Sequence, residues 1–325
     1  MASELTSPNP DAEPSGRTAK APLSPTTVGL LFGLMAYGLW GTFPLFFALL
    51  SSVPPIEVVA HRVIWSLVFL AVLLTATRGW GALREALRDR RAVGLLAVAA
   101  VFLSMNWVTY VYSVWSNQVV EASLGYFINP LVSVALGVLA LKERLRPLQW
   151  TAVGIALIAV VELTVAYGAI PWIALILAFS FGTYGLLKKL VGFGAIPSLT
   201  IETAVLSPIA VVLLLTLEGT GAAIFVQGGL GISILLILLG PVTAIPLLAF
   251  GAAATRIPLS MLGLIQYITP ISIFIFGITV FHDEMQPGRW IGFILVWIAL
   301  VVFTIDALRN SRSNFAPVAE AIEAV

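Results

Sequence analysis

One pattern of residues occurs twice in this sequence, and it restricts the fold more than any other feature. The stretch from Glu121 to Trp150 is an apolar span of membrane length that ends in a basic loop. Residues of this stretch recur 140 positions later, and the matching pairs are Pro130 and Pro270, Gly137 and Gly277, Pro147 and Pro287, and Trp150 and Trp290. Four matches at one offset indicate an internal duplication, so we expect the functional site between the two copies.

The composition predicts an all-α integral membrane protein. Of the 325 residues, 59% are apolar and only 10% are charged, whereas a soluble domain carries about 25% charged residues. Hydrocarbon requires backbone hydrogen bonds to be satisfied within helices. The absence of cysteine excludes disulfides and thiolate catalysis, and the two histidines, His61 and His282, provide no metal cluster. We therefore expect no metal and no other cofactor.

Hydropathy predicts ten transmembrane helices in two five-helix repeats. The predicted spans are 26–50, 57–77, 92–115, 119–141, 147–166, 169–189, 197–217, 230–254, 257–281 and 287–307. Residues 26–166 form the first repeat and 167–307 the second, between a disordered tail at 1–25 and a polar tail at 308–325. Because each copy has an odd number of spans, the second copy must be inverted relative to the first. The basic segment 78–91 is typical of a helix lying on the membrane surface.

The distribution of lysine and arginine predicts the orientation. With the N-terminus in the cytoplasm, 15 of the 17 basic residues fall on the inner side. The exceptions are Arg289, in a predicted outer loop, and Arg62, within a span. By the positive-inside rule, both tails are expected in the cytoplasm.

Polar residues in two spans follow helical spacing. Span 3 carries Asn106, Tyr110, Ser113 and Asn117, and span 4 carries Glu121, Gly125, Asn129 and Ser133. These two faces are interpreted as walls of a polar cleft. Small and amide residues also allow helices to pack closely, so close packing is the alternative interpretation.

Polar and aromatic side chains within the spans are the candidate substrate-binding residues, because they suit an amphipathic or aromatic substrate. They are Tyr37, Trp40, Arg62, Asn106, Trp107, Tyr110, Tyr126, Asn129, Tyr184, Gln266 and Tyr267. Pro130 and Pro270 each remove a backbone hydrogen bond inside a span, so they are either hinges for gating or ordinary kinks.

Ionisable residues within the spans are the remaining candidates for coupling and gating. Arg62 and Glu202 correspond at the offset of 140 residues and are expected at opposite mouths. Arg62 could bind a carboxylate or phosphate of a substrate, pair with Glu57 or Glu121 as an outer latch, or extend its charge toward the interface. Glu121, Glu162 and Glu202 are candidates for proton coupling. His61 could titrate near neutrality or simply form a helix contact.

Three stretches of the sequence resemble the RarD-type permeases, a branch of the EamA-like drug/metabolite transporters. They are VVEASLGYFINPLVSVALGVLALKERLRPLQW, EVVAHRVIWSLVF and LGLIQYITP, and the similarity extends from about residue 28 to 307. The resemblance implies two five-helix EamA-type repeats, a central pocket and alternating access. It also implies a carrier in the inner (plasma) membrane, with amino-acid-like metabolites or amphenicol-type drugs as substrates and with efflux favoured over uptake.

The predicted function is therefore a secondary transporter, a permease that binds its substrate near the midplane between the repeats. No GxxxxGK[ST] sequence is present, so transport would use an ion gradient or the substrate's own gradient. The alternative is an intramembrane enzyme acting on lipid-linked substrates, but no catalytic constellation is found. The expected partners are a small molecule and the lipid bilayer, without nucleic acid, and the protein is expected to be a monomer or homodimer.

Overall fold

The computed structural model describes residues 24–141, 146–254, 256–257 and 265–310. Within these ranges the chain is helical and contains no strand. The helices are α1 (Pro25–Gly41), α2 (Phe43–Ala48), α3 (Pro55–Ala76), α4 (Trp80–Arg88), α5 (Arg90–Trp115), α6 (Val119–Leu141), α7 (Pro147–Tyr167), α8 (Trp172–Val191), α9 (Ala195–Gly219), α10 (Gly229–Ala254), α11 (Ile268–Thr279) and α12 (Pro287–Asn310). The predicted all-α class is confirmed. The predicted tails, except for their edges, lie outside the described residues.

Length and apolar character identify these helices as membrane helices. In the described ranges, seven spans are long and apolar enough to cross a bilayer, counting α1 and α2 as one, and three shorter apolar helices lie in α6, α8 and α11. Large apolar side chains face outward, as for Val165, which is 77% exposed, and Leu215, which is 67% exposed. Such a surface is stable only against lipid. Ten crossings stay a prediction.

Local sequence signals explain where several helices begin and end. Ser24 caps α1 by accepting a hydrogen bond from the Thr27 backbone, and Asp89 caps α5 through the amides of Arg91 and Ala92. Proline is the first residue of α1, α3, α7 and α12, where its missing N–H is not needed. Gly168 ends α7 with a φ of 67°, a left-handed conformation that favours glycine.

The prolines inside the predicted spans act differently from one another. The first span is divided at Thr42, directly before Phe43 and Pro44, so that α2 begins as a new helix. Helix α6 continues through Pro130. Pro270 lies in the first turn of α11, where its missing N–H costs little. In the predicted ninth span, 257–281, Ile265 is helical, a turn follows at 266–267 and α11 begins at Ile268, while 258–264 lie outside the described residues.

Most of the large helix–helix contacts join a helix of residues 26–166 to a helix of residues 167–307. Helix α6 packs on α8 and α11, α1 on α10 and α11, α3 on α9 and α10, α5 on α8 and α9, and α7 on α12. Two large apolar clusters result, one containing Leu103, Trp107 and Leu239 and another containing Leu163, Phe293 and Val296. The central part of the bundle is thus built from helices of both predicted repeats.

Candidate functional site

A central cavity lies where these helices meet. Its empty space is about 660 Å³, counting the part that opens to solvent. The lining residues come from α1, α2, α3, α5, α6, α8, α10 and α11 and from the turn before α11. They are Tyr37, Trp40, Phe43, Arg62, Leu103, Asn106, Trp107, Tyr110, Tyr126, Asn129, Phe181, Leu247, Gln266, Thr269, Pro270 and Ile273. Most of them lie near the middle of the predicted spans rather than of the helices, since Trp40 lies in the last turn of α1 while Phe43 and Thr269 lie where α2 and α11 begin.

Arg62 is the charged residue of this lining. It is 3% exposed, and its Nε donates a hydrogen bond of 2.8 Å to Thr243 Oγ1 on α10. Its guanidinium carbon lies 4.1 Å from the ring centroid of Trp107 and 5.6 Å from those of Phe43 and Phe47. Among the described residues, no carboxylate oxygen lies within 4.0 Å of its nitrogens, so the predicted latch with Glu57 or Glu121 is not formed. The cation is held by aromatic rings and a hydroxyl.

Two asparagines connect the cavity wall to α8. The Nδ2 of Asn106 donates to the Leu177 carbonyl and to Ser180 Oγ, both at 3.1 Å, and the Nδ2 of Asn129 donates to the Ala178 carbonyl at 2.9 Å. Both asparagines also line the cavity. The two interpretations of the polar stripes are therefore compatible, since the same side chains pack helices together and form a wall.

Ser113, Asn117, Glu121 and Gly125 belong to the polar stripes but do not line the cavity. The Ser113 hydroxyl donates to the Tyr110 carbonyl of its own helix. Asn117 lies beyond the end of α5 with a φ of 54°, so it is not part of the predicted helical face. Gly125 packs against Ala174, where an added Cβ would lie 2.7 Å from the Ala174 carbonyl oxygen. The side chain of Ser133 lies outside the described part of the structure.

The tyrosine hydroxyls of the wall differ in their partners. The Tyr126 hydroxyl donates to Asn106 Oδ1 at 3.3 Å. The Tyr110 hydroxyl is buried and has no hydrogen-bond partner among the described residues. The ring centroids of Tyr110 and Tyr126 are 5.9 Å apart, and both residues line the cavity together with Arg62. This side of the cavity thus combines one cation with a hydroxyl that lacks a partner.

Tyr37, Trp40 and Phe181 form an aromatic wall of the cavity, and Phe250 packs against it from outside the lining. Trp40 lies at its centre, with ring centroids 5.3 Å from Tyr37, 5.8 Å from Phe250 and 6.3 Å from Phe181. These edge-on and tilted contacts are the arrangements that aromatic pairs favour.

The structure brings together most of the predicted substrate-binding residues but places two of them elsewhere. Tyr37, Trp40, Arg62, Asn106, Trp107, Tyr110, Tyr126, Asn129 and Gln266 line the cavity. Tyr184 is outside the lining and donates a hydrogen bond to Glu202. Tyr267 packs with the apolar cluster around Phe293. A period of 3.6 does not by itself distinguish the cavity face from a neighbouring buried face.

The predicted gating residues are dispersed around the cavity. Glu202 is fully buried and pairs with Lys188 Nζ at 2.7 Å. His61 Nδ1 accepts a hydrogen bond from Trp65 Nε1, and its ring lies 4.6 Å from that of Phe225. Among these residues, only Arg62 and Pro270 line the cavity, whereas Pro130 lies within α6.

Three carboxylates bind backbone amides across the two parts of the chain. Glu57 Oε1 accepts from the amides of Ile224 and Phe225 at 2.8 and 3.0 Å. Glu121 Oε1 accepts from Ile173 at 3.1 Å, and Asp283 Oδ2 accepts from Val120 at 2.7 Å. Each contact joins residues 26–166 to residues 167–307. We call them the carboxylate–amide contacts.

Comparison with known proteins assigns the chain to a family. The model of the EamA-like transporter family matches residues 27–165. A protein RarD from Streptomyces exfoliatus is 53% identical over 288 residues, which cover 89% of this chain and 91% of that protein. The chain belongs to the RarD-type permeases of the EamA-like transporters. It is accordingly a multi-pass membrane transporter.

Other relatives of this RarD-type permease agree with that assignment. An "Uncharacterized transporter" from Vibrio cholerae is 40% identical, and the match covers 88% of this chain and 94% of that protein. A "Chloramphenicol-sensitive protein RarD" from Pseudomonas aeruginosa is 28% identical over 88% of this chain and 96% of its own. A crystal structure with 20% identity aligns with a TM-score of 0.58, covering 87% of this chain and 99% of that chain, and shows a similar fold.

Several cavity residues of the RarD-type permease were missed in the sequence. Applying the offset of 140 residues to Asn129 gives Thr269, and applying it to Trp107 gives Leu247, so the duplication contained a usable signal for both. Phe181 likewise corresponds to Trp40 at the offset of 141 residues that relates Gly41 to Gly182. Phe43 carries no such signal, because apolar residues are equally expected on faces that contact lipid.

Proposed function

We propose that this RarD-type permease is a secondary transporter that moves a small organic molecule across the inner (plasma) membrane by alternating access. The observation that carries the proposal is the central cavity, which is lined by helices of both predicted repeats. Its volume and its mixture of aromatic walls with a few polar groups are typical of small-molecule sites. The molecule binds in this cavity, near the middle of the predicted spans.

Paired contacts support the proposal of two inverted repeats, 26–166 and 167–307. Asn129 of α6 donates to the Ala178 carbonyl of α8, and Thr269 of α11 donates to the Tyr37 carbonyl of α1. Asn129 and Thr269 are 140 positions apart, and Tyr37 and Ala178 are 141 apart. The first helix of each repeat thus receives the same type of bond from the fourth helix of the other. The family model also matches a range that nearly coincides with the first repeat.

A second pair of contacts follows the same correspondence. A Cβ added at Gly41 would lie 2.8 Å from Ser272 Cβ, and one added at Gly182 would lie 3.2 Å from Val132 Cγ1. Gly41 corresponds to Gly182, and Val132 corresponds to Ser272. Two related interfaces of this kind provide the equivalent surfaces that an alternating-access carrier with inverted repeats requires.

Orientation, coupling and substrate remain parts of the proposal. The positive-inside rule places both tails in the cytoplasm. Protons are the proposed coupling ion because buried carboxylates such as Glu121 and Glu202 are the ionisable groups available. Amino-acid-like metabolites and amphenicol-type drugs are candidate substrates, and the name of the Pseudomonas aeruginosa relative mentions chloramphenicol.

Site-directed labelling tests alternating access without knowledge of the substrate. The chain contains no cysteine, so a single Leu247→Cys variant reports on the cavity without background. We expect a membrane-impermeant maleimide to label this cysteine from the outer side in intact cells and from the inner side in inverted vesicles. Leu163→Cys is the matched control, because Leu163 is fully buried outside the cavity and should remain unlabelled from both sides.

Labelling of Leu247→Cys in only one of the two preparations, intact cells or inverted vesicles, would contradict alternating access. Transport itself is measured in proteoliposomes with radiolabelled phenylalanine and chloramphenicol, together with a dye that reports internal pH. Substrate flux accompanied by proton movement supports coupling, whereas flux without proton movement identifies a facilitator.

A further inference from the structure

The charge of the cavity is not balanced by the protein. Arginine stays protonated in proteins, and burial of an isolated charge is unfavourable unless a partner compensates it. Thr243 and the aromatic rings are neutral partners. No aspartate or glutamate is among the described residues that line the cavity. The described part of the site therefore has one positive charge and space for one negative charge.

The nearby carboxylates are already bound to other groups. Glu57 accepts the amides of Ile224 and Phe225, and Glu202 is paired with Lys188 and Tyr184. Neither of them lines the cavity. An anion that enters the cavity would therefore not compete with an acidic side chain for Arg62.

The donors that face the cavity fit a carboxylate. The Nε of Arg62 is occupied by Thr243, which leaves the two terminal nitrogens, and these bind the two oxygens of a carboxylate in a forked geometry. The Tyr110 hydroxyl, which is buried without a partner among the described residues, provides a further donor. A phosphate monoester carries more than one negative charge near neutral pH, so a single cation would not neutralise it.

The remaining walls fit an uncharged body. Trp40, Tyr37 and Phe181 offer ring faces and edges, and the amide nitrogens of Asn106 and Asn129 are bonded to α8. The described lining holds no carboxylate for an ammonium group, so among the proposed substrate candidates the site favours acids whose amino group is absent or uncharged. We propose that the substrate is an organic monoanion with one carboxylate and an aromatic or apolar body, and that Arg62 and Tyr110 bind its carboxylate. This assignment rests on the proposed transport function.

Binding of a matched acid and amide tests the assignment. The probes are 2-naphthylacetate and 2-naphthylacetamide, which differ in charge but hardly in shape, and affinities are measured by titration calorimetry with the protein in nanodiscs. Empty nanodiscs provide the correction for partition into lipid. We expect the wild-type protein to bind the acid at least about tenfold more tightly than the amide, because hydrogen bonds to charged groups exceed neutral ones by that order.

Variants of Arg62 test whether this residue causes the preference for the acid over the amide. In Arg62→Gln the acid should bind no more tightly than the amide. Arg62→Lys keeps the charge without the forked geometry and should retain only part of the preference. Arg84→Gln removes a positive charge from the exposed helix α4 and should bind both probes like the wild type.

Equal wild-type affinities for acid and amide, no binding of the acid, or a preference that persists in Arg62→Gln would each overturn the assignment. If Arg62→Gln does not fold, the wild-type comparison and Arg62→Lys decide. Labelling of Leu247→Cys is independent of these titrations. Labelling from both sides without an anion preference leaves the transport proposal intact, whereas an anion preference with labelling from one side leaves only the binding site.

Discussion

Single carboxylates hold the two parts of this permease together by accepting backbone N–H groups. Glu121 is the clearest example, since its Oε1 accepts from Ile173 in the first turn of α8 while the side chain is 7% exposed. A helix N-terminus carries unpaired N–H groups and a partial positive charge, so a carboxylate is favourable there. Glu121 has this structural contact whether or not it also carries protons.

Two substitutions of Glu121 should separate its hydrogen bond from its charge. Glu121→Gln keeps an acceptor for the Ile173 amide and should lower the free energy of unfolding by no more than about 1 kcal/mol, whereas Glu121→Leu leaves that amide unpaired and should cost about 1–3 kcal/mol. Thermal unfolding in detergent measures the difference. Equal losses in both variants would show that the charge, not the acceptor, stabilises this contact.

Asp283 should give a pH-dependent contribution to stability. Burial raises the pKa of Asp283 above its ordinary value of 3.8, while the backbone amide of Val120 and the charge of Arg289 act in the opposite direction. Its Oδ1 is buried and has no hydrogen-bond partner among the described residues. The folded state therefore holds this proton more tightly than the unfolded state does.

The sign of the effect follows from that difference. The stabilisation that protonated Asp283 contributes is fully present below pH 3.8, the ordinary pKa of aspartate. It is lost as the pH rises through the raised pKa of Asp283 in the folded protein. Relative to Asp283→Asn, the wild-type melting temperature should fall as the pH increases across this interval. Melting curves of both proteins at a series of pH values measure this change. A wild-type melting temperature that rises relative to that of Asp283→Asn as the pH increases would contradict the expected sign.

Helices α6 and α8 are in close contact beside the cavity. Glu121, Gly125 and Asn129 are spaced four residues apart on α6, and each contacts α8. A single face of α6 therefore provides a helix cap, a close backbone approach and a side-chain bond to a carbonyl. Asn129 in addition lines the cavity, so the position of the cavity wall depends on this contact.

Adding one methyl group at this interface should be unfavourable. In Gly125→Ala the new Cβ would lie 2.7 Å from the Ala174 carbonyl oxygen and 2.9 Å from Leu177 Cβ, so we expect a loss of about 1–3 kcal/mol from overpacking. Gly185→Ala on α8 is the control, because nothing lies within 4 Å of its added Cβ. It should be neutral or stabilising by up to about 1 kcal/mol. Thermal unfolding of both variants tests the contact, and equal stabilities would refute it.

The elements were more predictable than the details of the site. Apolar spans separated by short polar segments are visible in hydropathy, so most helix positions agree with prediction within a few residues. Whether a proline interrupts a helix depends on tertiary contacts, and Pro44 and Pro130 therefore differ in a way that the sequence does not reveal. Arg62 and Asn106 were identifiable because polar groups are rare in hydrocarbon. Thr243, which binds Arg62, resembles many other threonines of the spans.

The proposed orientation of the protein in the membrane can also be tested with single cysteine variants, because the chain contains no cysteine of its own. Ser52 lies in the exposed connection between α2 and α3, and Thr77 lies at the opposite end of α3. With the termini in the cytoplasm, Ser52→Cys should react with an impermeant maleimide in intact cells, and Thr77→Cys only after the membrane is permeabilised. The reverse pattern would invert the proposed orientation.

The carboxylate–amide contacts have a consequence for how this family can diverge. Their acceptors are specific side chains, Glu57, Glu121 and Asp283, but their donors are main-chain groups that nearly every amino acid supplies. The donor positions 120, 173, 224 and 225 can therefore drift in side-chain identity without loss of the bond, and proline is the residue that they exclude. Orthologues with differently composed connecting segments could in this way retain the same junction between their halves.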